Sequence, residues 1–235
     1  MCNRYAPPRP EDVQQRWLPR QASVSFPAGP VYPRAPGPFI RARRGHAAGA
    51  PGEPGAVELL VGQWALVPDF ARSARLPYST NNARFEALAA KASYRQPWAR
   101  GQRCIIPAAW FDEPCWETGR NVWWRFRRAD GQPWALAGLW NTWVDPASGE
   151  LVESYTMLTL NADAHPLMRR MHRPEPALPP ERQDKRSVVV LEATQEAAWL
   201  QGTTAEAAAV VGLAPVEVFH AAPVVEAGKA DLFGG

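Results

Sequence analysis

The sequence predicts an α+β fold: one domain built on a mainly antiparallel or mixed β-sheet with short flanking helices. Three observations predict it. The chain has 235 residues, 46% of them hydrophobic, which suits one domain with a substantial core. Short β-branched and aromatic runs are interspersed with short helical patterns without the regular alternation of a parallel sheet. No internal repeat or heptad pattern runs through the chain.

The elements follow in order. Residues 10–18 (PEDVQQRWL) predict a short helix, with Pro10 in its first turn and acidic residues after it. Residues 27–56, rich in Pro, Gly and Arg, predict a long loop, either disordered or functional. Residues 57–67 (VELLVGQWALV) read as paired strands. Asn81 and Asn82 then precede ARFEALAAK, which predicts a helix with an Asn cap. Residues 103–111 (RCIIPAAWF) predict a buried strand entering a turn. Residues 121–128 (NVWWRFRR) and 133–144 (PWALAGLWNTWV) predict a hairpin about Ala129-Asp130-Gly131. A strand at 154–160, a short helix over ADAHPLMRRM, a strand at 187–191 and helix over 195–212 complete the pattern. Residues from about 213 to 235 read as a C-terminal extension.

The formal net charge is only +3, but its distribution is uneven. Residues 1–128 carry 19 basic and 9 acidic side chains; residues 129–235 carry 7 and 14. The first half thus suits an anionic partner. The same Arg excess over Lys, with only Lys91, Lys185 and Lys229, also follows from a GC-rich genome. Eleven Trp residues serve mostly as core, and some could stack on unpaired bases. No apolar run has membrane-spanning length and no signal region opens the chain, so a cytoplasmic protein is expected. Three cysteines, Cys2, Cys104 and Cys115, with no CxxC pair, argue against a disulfide framework or a zinc site. No metal and no cofactor are expected.

Cys2 follows Met1 directly. Removal of Met1 would leave a terminal 1,2-aminothiol, its amine near pKa ~7.7–8.0 and its thiol near ~8.5, both partly nucleophilic at neutral pH. Such a pair can capture an aldehyde, the amine as an imine and the thiol by closing a thiazolidine. By itself a cysteine at this position also reads as incidental.

Four segments, in order, give it context. Met1-Cys2-Asn3-Arg4-Tyr5 resembles MCGRY/F, and Asn82-Ala83-Arg84-Phe85-Glu86 resembles NARxE. Cys104 to Glu113 (CIIPAAWFDE) resembles CLIPADGFYE, and Met171-His172 with Pro176 resembles IHxRMP. These are the motifs of the SRAP family, abasic-site-crosslinking proteins once named SOS-response-associated peptidases. Weaker matches lie at Tyr32 to Gly37, Trp64 to Pro68 and Ala129-Asp130-Gly131, and the resemblance spans about residues 1–195. The departures are Asn3 for Gly, Ala109, Trp110 and Asp112 for Asp, Gly and an aromatic, and Pro114 after the Glu. The segment His172-Arg173-Pro174 also lacks Arg two residues after the His, a place Arg173 could supply from next door.

The resemblance implies a single SRAP-like domain over 1–235 with a mixed-sheet or barrel-like core. It implies an abasic-site processing protein of the DNA damage (SOS) response. Cys2 would capture the ring-opened aldehyde. Asn82 would hold the Cys2 amine or the opened sugar, or else cap a helix. Glu113 would act as general acid/base, its pKa raised by burial beside Trp110 or Trp116; Asp112 is a rival, but the register with Ile106-Pro107-Ala108 favours Glu113. His172 would be the second proton carrier. Arg4 and Arg84 would contact phosphates, and Trp64 and Pro36 would stack or wedge at the lesion. The expected partner is single-stranded or junction DNA, bound by a monomer that associates with the nucleoid. AP-lyase and self-processing peptidase activities go with the same chemistry. Two alternatives remain: an N-terminal-nucleophile Cys amidohydrolase, and a non-catalytic single-strand-binding module.

Overall fold

The computed structural model describes residues 2–21, 23–43 and 57–224. In chain order its elements are β1 (Arg4–Ala6), α1 (Pro10–Trp17), β2 (Pro36–Ala42), β3 (Val57–Trp64), β4 (Asn82–Arg84), α2 (Ala92–Ala99), β5 (Arg103–Ala108), β6 (Trp110–Cys115), β7 (Val122–Arg128), β8 (Trp134–Val144), β9 (Leu151–Asn161), β10 (Arg186–Val188), β11 (Val190–Leu191), α3 (Ala193–Gln201), α4 (Thr204–Ala209) and β12 (Phe219–Pro223). The fold is α+β, as the irregular order of strands and helices predicts.

Five strands close a barrel in the order β9–β3–β2–β5–β8 and back to β9. Only the β3–β9 pairing in that ring is parallel. β4 and β10 add to β9, and β11 adds to β8. A second, antiparallel sheet runs β1–β6–β7–β12. The chain crosses from barrel to second sheet at Ala109, between β5 and β6.

Side-chain alternation explains this assembly. Phe39, Ile106, Leu136 and Met157 belong to one core with Cys2, Tyr5, Phe111 and Trp134, while their neighbours Ile40, Ile105, Ala137 and Leu158 pack outward with Val13, Trp17 and Trp199 of α1 and α3. The barrel strands are therefore buried on both faces and read in sequence as unbroken apolar runs. In α1, Val13 and Trp17 stand one turn apart and are its two buried residues.

Several expectations are corrected. The proposed hairpin does not form: β7 pairs with β6 and β12, whereas β8 pairs with β5, β9 and β11. β8 is apolar on both faces and needs cover on both sides; β7 alternates buried Phe126 with exposed Arg127 and needs cover on one. The 27–56 loop contains β2, whose Phe39 and Ile40 are fully buried; Pro36 and Pro38 lie where β2 pairs with β3 alone. The rest of that loop from 44 onward lies outside the described residues. Residues 82–84 are a strand rather than a capped helix, because parallel pairing with β9 outweighs helix propensity; a 3₁₀ turn, Phe85–Ala87, follows. Residues 57–67 hold one strand ending at Trp64, and the segment after Ala162 holds only the 3₁₀ turn Met168–Arg170. The expected C-terminal extension supplies β12 to the second sheet, and residues 225–235 lie outside the described residues.

Candidate active site

Antiparallel pairing of β1 with β6 sets Arg4 against Asp112, so the residues before Arg4 run alongside Glu113 and Pro114. Cys2 is fully buried there. The amide Nδ2 of Asn82 donates to the Cys2 carbonyl at 2.7 Å, and that of Asn81 donates to the same oxygen at 3.3 Å and to Asn3 Oδ1 at 3.2 Å. Asn82 thus holds the backbone of Cys2 rather than its amine. Its Oδ1 is buried and has no hydrogen-bond partner among the described residues. Asn81 is a site residue that motif reasoning passed over. The Asn81-Asn82 doublet signalled a cap, but a cap needs a helix after it.

Glu113 projects inward from β6 and is 1% exposed. Its Oε2 lies 2.9 Å from His172 Nε2. Burial pushes the Glu113 carboxyl up, but the positive charges at the chain's amino terminus and on His172 outweigh this and hold it below its usual value. The expectation of a raised carboxyl beside Trp110 or Trp116 is therefore reversed. Glu113 is ionised at neutral pH and suited to accept a proton. Cys2 behaves oppositely: burial, helped by the charge of Glu113, pushes its thiol well above its ordinary value.

His172 takes its place from two backbone contacts. Its N–H donates to Pro114 O at 2.6 Å, and Lys185 Nζ donates to its carbonyl at 2.6 Å. Its φ is +64°, a left-handed conformation that costs a non-glycine residue about 1–3 kcal/mol and needs such anchors. Arg173 stands over Trp116, 5.4 Å from the ring centroid. Lys185, not Arg173, supports His172.

Asp112 is no rival for Glu113. It is fully buried and accepts from Arg4 Nε at 2.7 Å and from Arg125 Nε and Nη2 at 2.9 and 3.0 Å. Arg125 in turn covers Trp110, 3.5 Å from its ring centroid. Two departures in the 104–113 segment, Trp110 and Asp112, thus form one network with Arg4.

The remaining expected residues divide. Arg4 is ion-paired and about a quarter exposed, at 27%. Arg84 is half exposed and pairs with Asp184. Pro36 is exposed at the start of β2. Trp64 is fully buried, packs edge-on against Tyr5 with centroids 5.1 Å apart, and donates Nε1–H to Asn81 O at 2.8 Å. No base can stack on it, and its role is to fix the Asn81–Asn82 segment. Phe70, by contrast, is 59% exposed. Among the described residues no cluster of His, Cys, Asp or Glu could hold a metal ion. Among the described residues no helix is long and apolar enough to cross a membrane.

The fold and site together are of one class: a closed barrel with a second sheet, holding the buried Cys2 close to a buried carboxylate–imidazole pair. The sequence pattern of the SOS response associated peptidase (SRAP) family matches residues 1–227, and the chain belongs to that family. A solved structure from Bordetella bronchiseptica is 33% identical, covers 96% of this chain and 100% of its own, and superposes with a TM-score of 0.79. "Abasic site processing protein YoqW" of Bacillus subtilis is 31% identical over 119 residues, 49% of this chain and 50% of the relative. "Abasic site processing protein HMCES" of Xenopus tropicalis is 27% identical over 138 residues, 49% of this chain and 40% of the relative. The aligned part thus spans half or less of these curated relatives.

Proposed function

We propose that this protein processes abasic sites in DNA by capturing the lesion covalently through Cys2. The observation that carries the reading is the meeting of Cys2, Asn82, Glu113 and His172, drawn from four separate segments, at 2.7 Å (Asn82 to Cys2) and 2.9 Å (His172 to Glu113). Relatives named as abasic site processing proteins support a DNA aldehyde as the substrate.

Removal of Met1 frees the Cys2 amine. That amine adds to C1′ of the ring-opened deoxyribose, water leaves, and an imine forms. The thiol then adds across the C=N bond: sulfur bonds to C1′, its proton passes to nitrogen, and a thiazolidine closes. The ionised Glu113 takes the proton released by the attacking amine, and His172 exchanges one with the sugar oxygen. Asn82 Oδ1 can accept a hydrogen bond from the amine or the opened sugar. Burial raises the thiol, which fits its adding second, once the imine exists. The same imine permits β-elimination, an AP-lyase activity, and the family's peptidase label fits self-removal of Met1.

Single-stranded or junction DNA suits this chemistry, since the lesion must leave the helix to reach a buried thiol. The setting would be the damage (SOS) response, with the monomer on the nucleoid when bound. The amidohydrolase alternative requires a four-layer fold, and the barrel with its second sheet is not one.

A denaturing gel tests the reading. Protein mixed with single-stranded DNA bearing one abasic site should give a shifted, heat-resistant band that Cys2→Ala abolishes. Equal DNA binding by both proteins with no covalent band would leave a simple binding module. Intact mass must also show Met1 removed, because a retained methionine blocks the amine.

A further inference from the structure

Beside His172 lies a cavity of about 440 Å³, with Trp116, Arg169, His172 and Lys185 in its wall. This is within the range of small-molecule sites, about 300–1,000 Å³. Three carboxylates also line it, and each is already engaged. Glu117 is held by Arg170 through two bonds of 2.7 Å. Asp163 accepts from the backbone N–H groups of Asp184 and Lys185 at 3.1 and 2.8 Å and from Asn161 Nδ2 at 3.0 Å. Glu175 and Asp163 are held by amide groups rather than by a cation.

The cations are less well matched. Lys185 is 94% buried by its 6% exposure, and an ammonium has three donors. One goes to the His172 carbonyl, and no described residue accepts the other two. Burial pushes the Lys185 amine below its usual pKa, and the charge of Asp163 offsets only part of this. Arg169 is exposed and forms no ion pair with a described residue, and Arg173 stands on Trp116. Lys185 and Arg169, neither in an ion pair with a described residue, thus stand in one wall beside His172.

We propose that this cavity is the subsite for a phosphodiester flanking the captured abasic site, held by Lys185 and Arg169, with Lys185 joining that phosphate to the backbone of His172. The proposal rests on the abasic-site reading above. It gives the cavity a ligand class and makes Lys185 both a phosphate contact and a positioning residue for His172. Trp116 offers its ring to the adjoining base.

The test uses single-stranded DNA with a tetrahydrofuran abasic analogue, which cannot open and so reports binding alone. One linkage at a time, on either side of the analogue, is made a neutral methylphosphonate. Wild-type protein should bind one of these two oligonucleotides about tenfold more weakly. Lys185→Met should bind the all-phosphate analogue about tenfold more weakly, lose the preference between linkages, and show a salt slope smaller by about 0.7. On a true abasic site it should also crosslink more slowly at saturating DNA, while Lys185→Arg recovers most of both effects. The subsite is overturned if folded Lys185→Met keeps wild-type affinity and slope, or if both neutral linkages cost it what they cost wild type. Should Lys185→Met fail to fold, the linkage series on wild type and Arg169→Ala decides: no linkage effect and no loss in Arg169→Ala overturns it. A wild type that forms no covalent complex sinks the parent reading; one that crosslinks without linkage coupling sinks only the subsite.

Discussion

At Glu113 a buried carboxylate stays ionised because neighbouring positive charge outweighs the cost of burial. Its folded pKa lies below the unfolded value of about 4.3. It therefore adds stability that is complete above about pH 4.3 and is lost as pH falls through the lower folded value. Urea unfolding should show wild type losing more stability than Glu113→Gln between about pH 6 and about pH 3. At neutral pH the same variant should crosslink about 10²–10⁴-fold more slowly, read from the rate of band formation on a denaturing gel. Asp112 is a different carboxylate one residue away. Asp112→Asn leaves Arg4 and Arg125 without a charged partner and should cost about 2–3 kcal/mol in urea unfolding, below the usual range for buried pairs because both arginines are partly solvated. The motif register favours Glu113 over Asp112 without saying what holds either carboxylate. The strand alternates faces, so Glu113 points to the core side and Asp112 to the two guanidinium groups.

Strand β2 shows how an element can hide in a loop-like composition. Its prolines and glycine suggest irregular chain, yet Gly37 is where the strand comes closest to its neighbours. A Cβ at this position would lie 2.6 Å from the Tyr5 hydroxyl and closer still to that of Tyr155. Those hydroxyls pair at 2.5 Å, linking β1 to β9 across the barrel interior. Gly37→Ala should separate them and lower stability by about 1–3 kcal/mol, measured as a shift in the urea midpoint. The β7–β8 connection teaches the complementary lesson. Gly131, at φ +74°, makes a turn there, but a turn residue does not say whether the flanking strands pair. Which sheet each strand joined was decided by whether it needed one covered face or two.

Over the whole molecule, burial separates scaffold from contact surface. Trp64→Ala should cost about 3–5 kcal/mol in thermal or urea unfolding, because the indole is fully enclosed. Phe70→Ala should change stability by less than about 0.5 kcal/mol while weakening single-strand binding by about 5- to 100-fold, the value of one stacked base. Cys104→Ser and Cys115→Ser should leave crosslinking intact, since both thiols are buried and neither residue can carry a free α-amine beside its thiol. The sequence by itself determined the α+β class and the family, and it put forward Cys2, Asn82, Glu113 and His172 as the candidate site, because short motifs keep their residue types and order along the chain. Tertiary structure alone decided which five strands close the barrel and that Trp64 is scaffold. It also decided that Asp112 is bound by arginines, that Asn81 joins Asn82 at the Cys2 carbonyl, and that Lys185 holds His172. Each of these depends on which face of a strand meets which distant segment, and strands buried on both faces erase the alternation that would have revealed it.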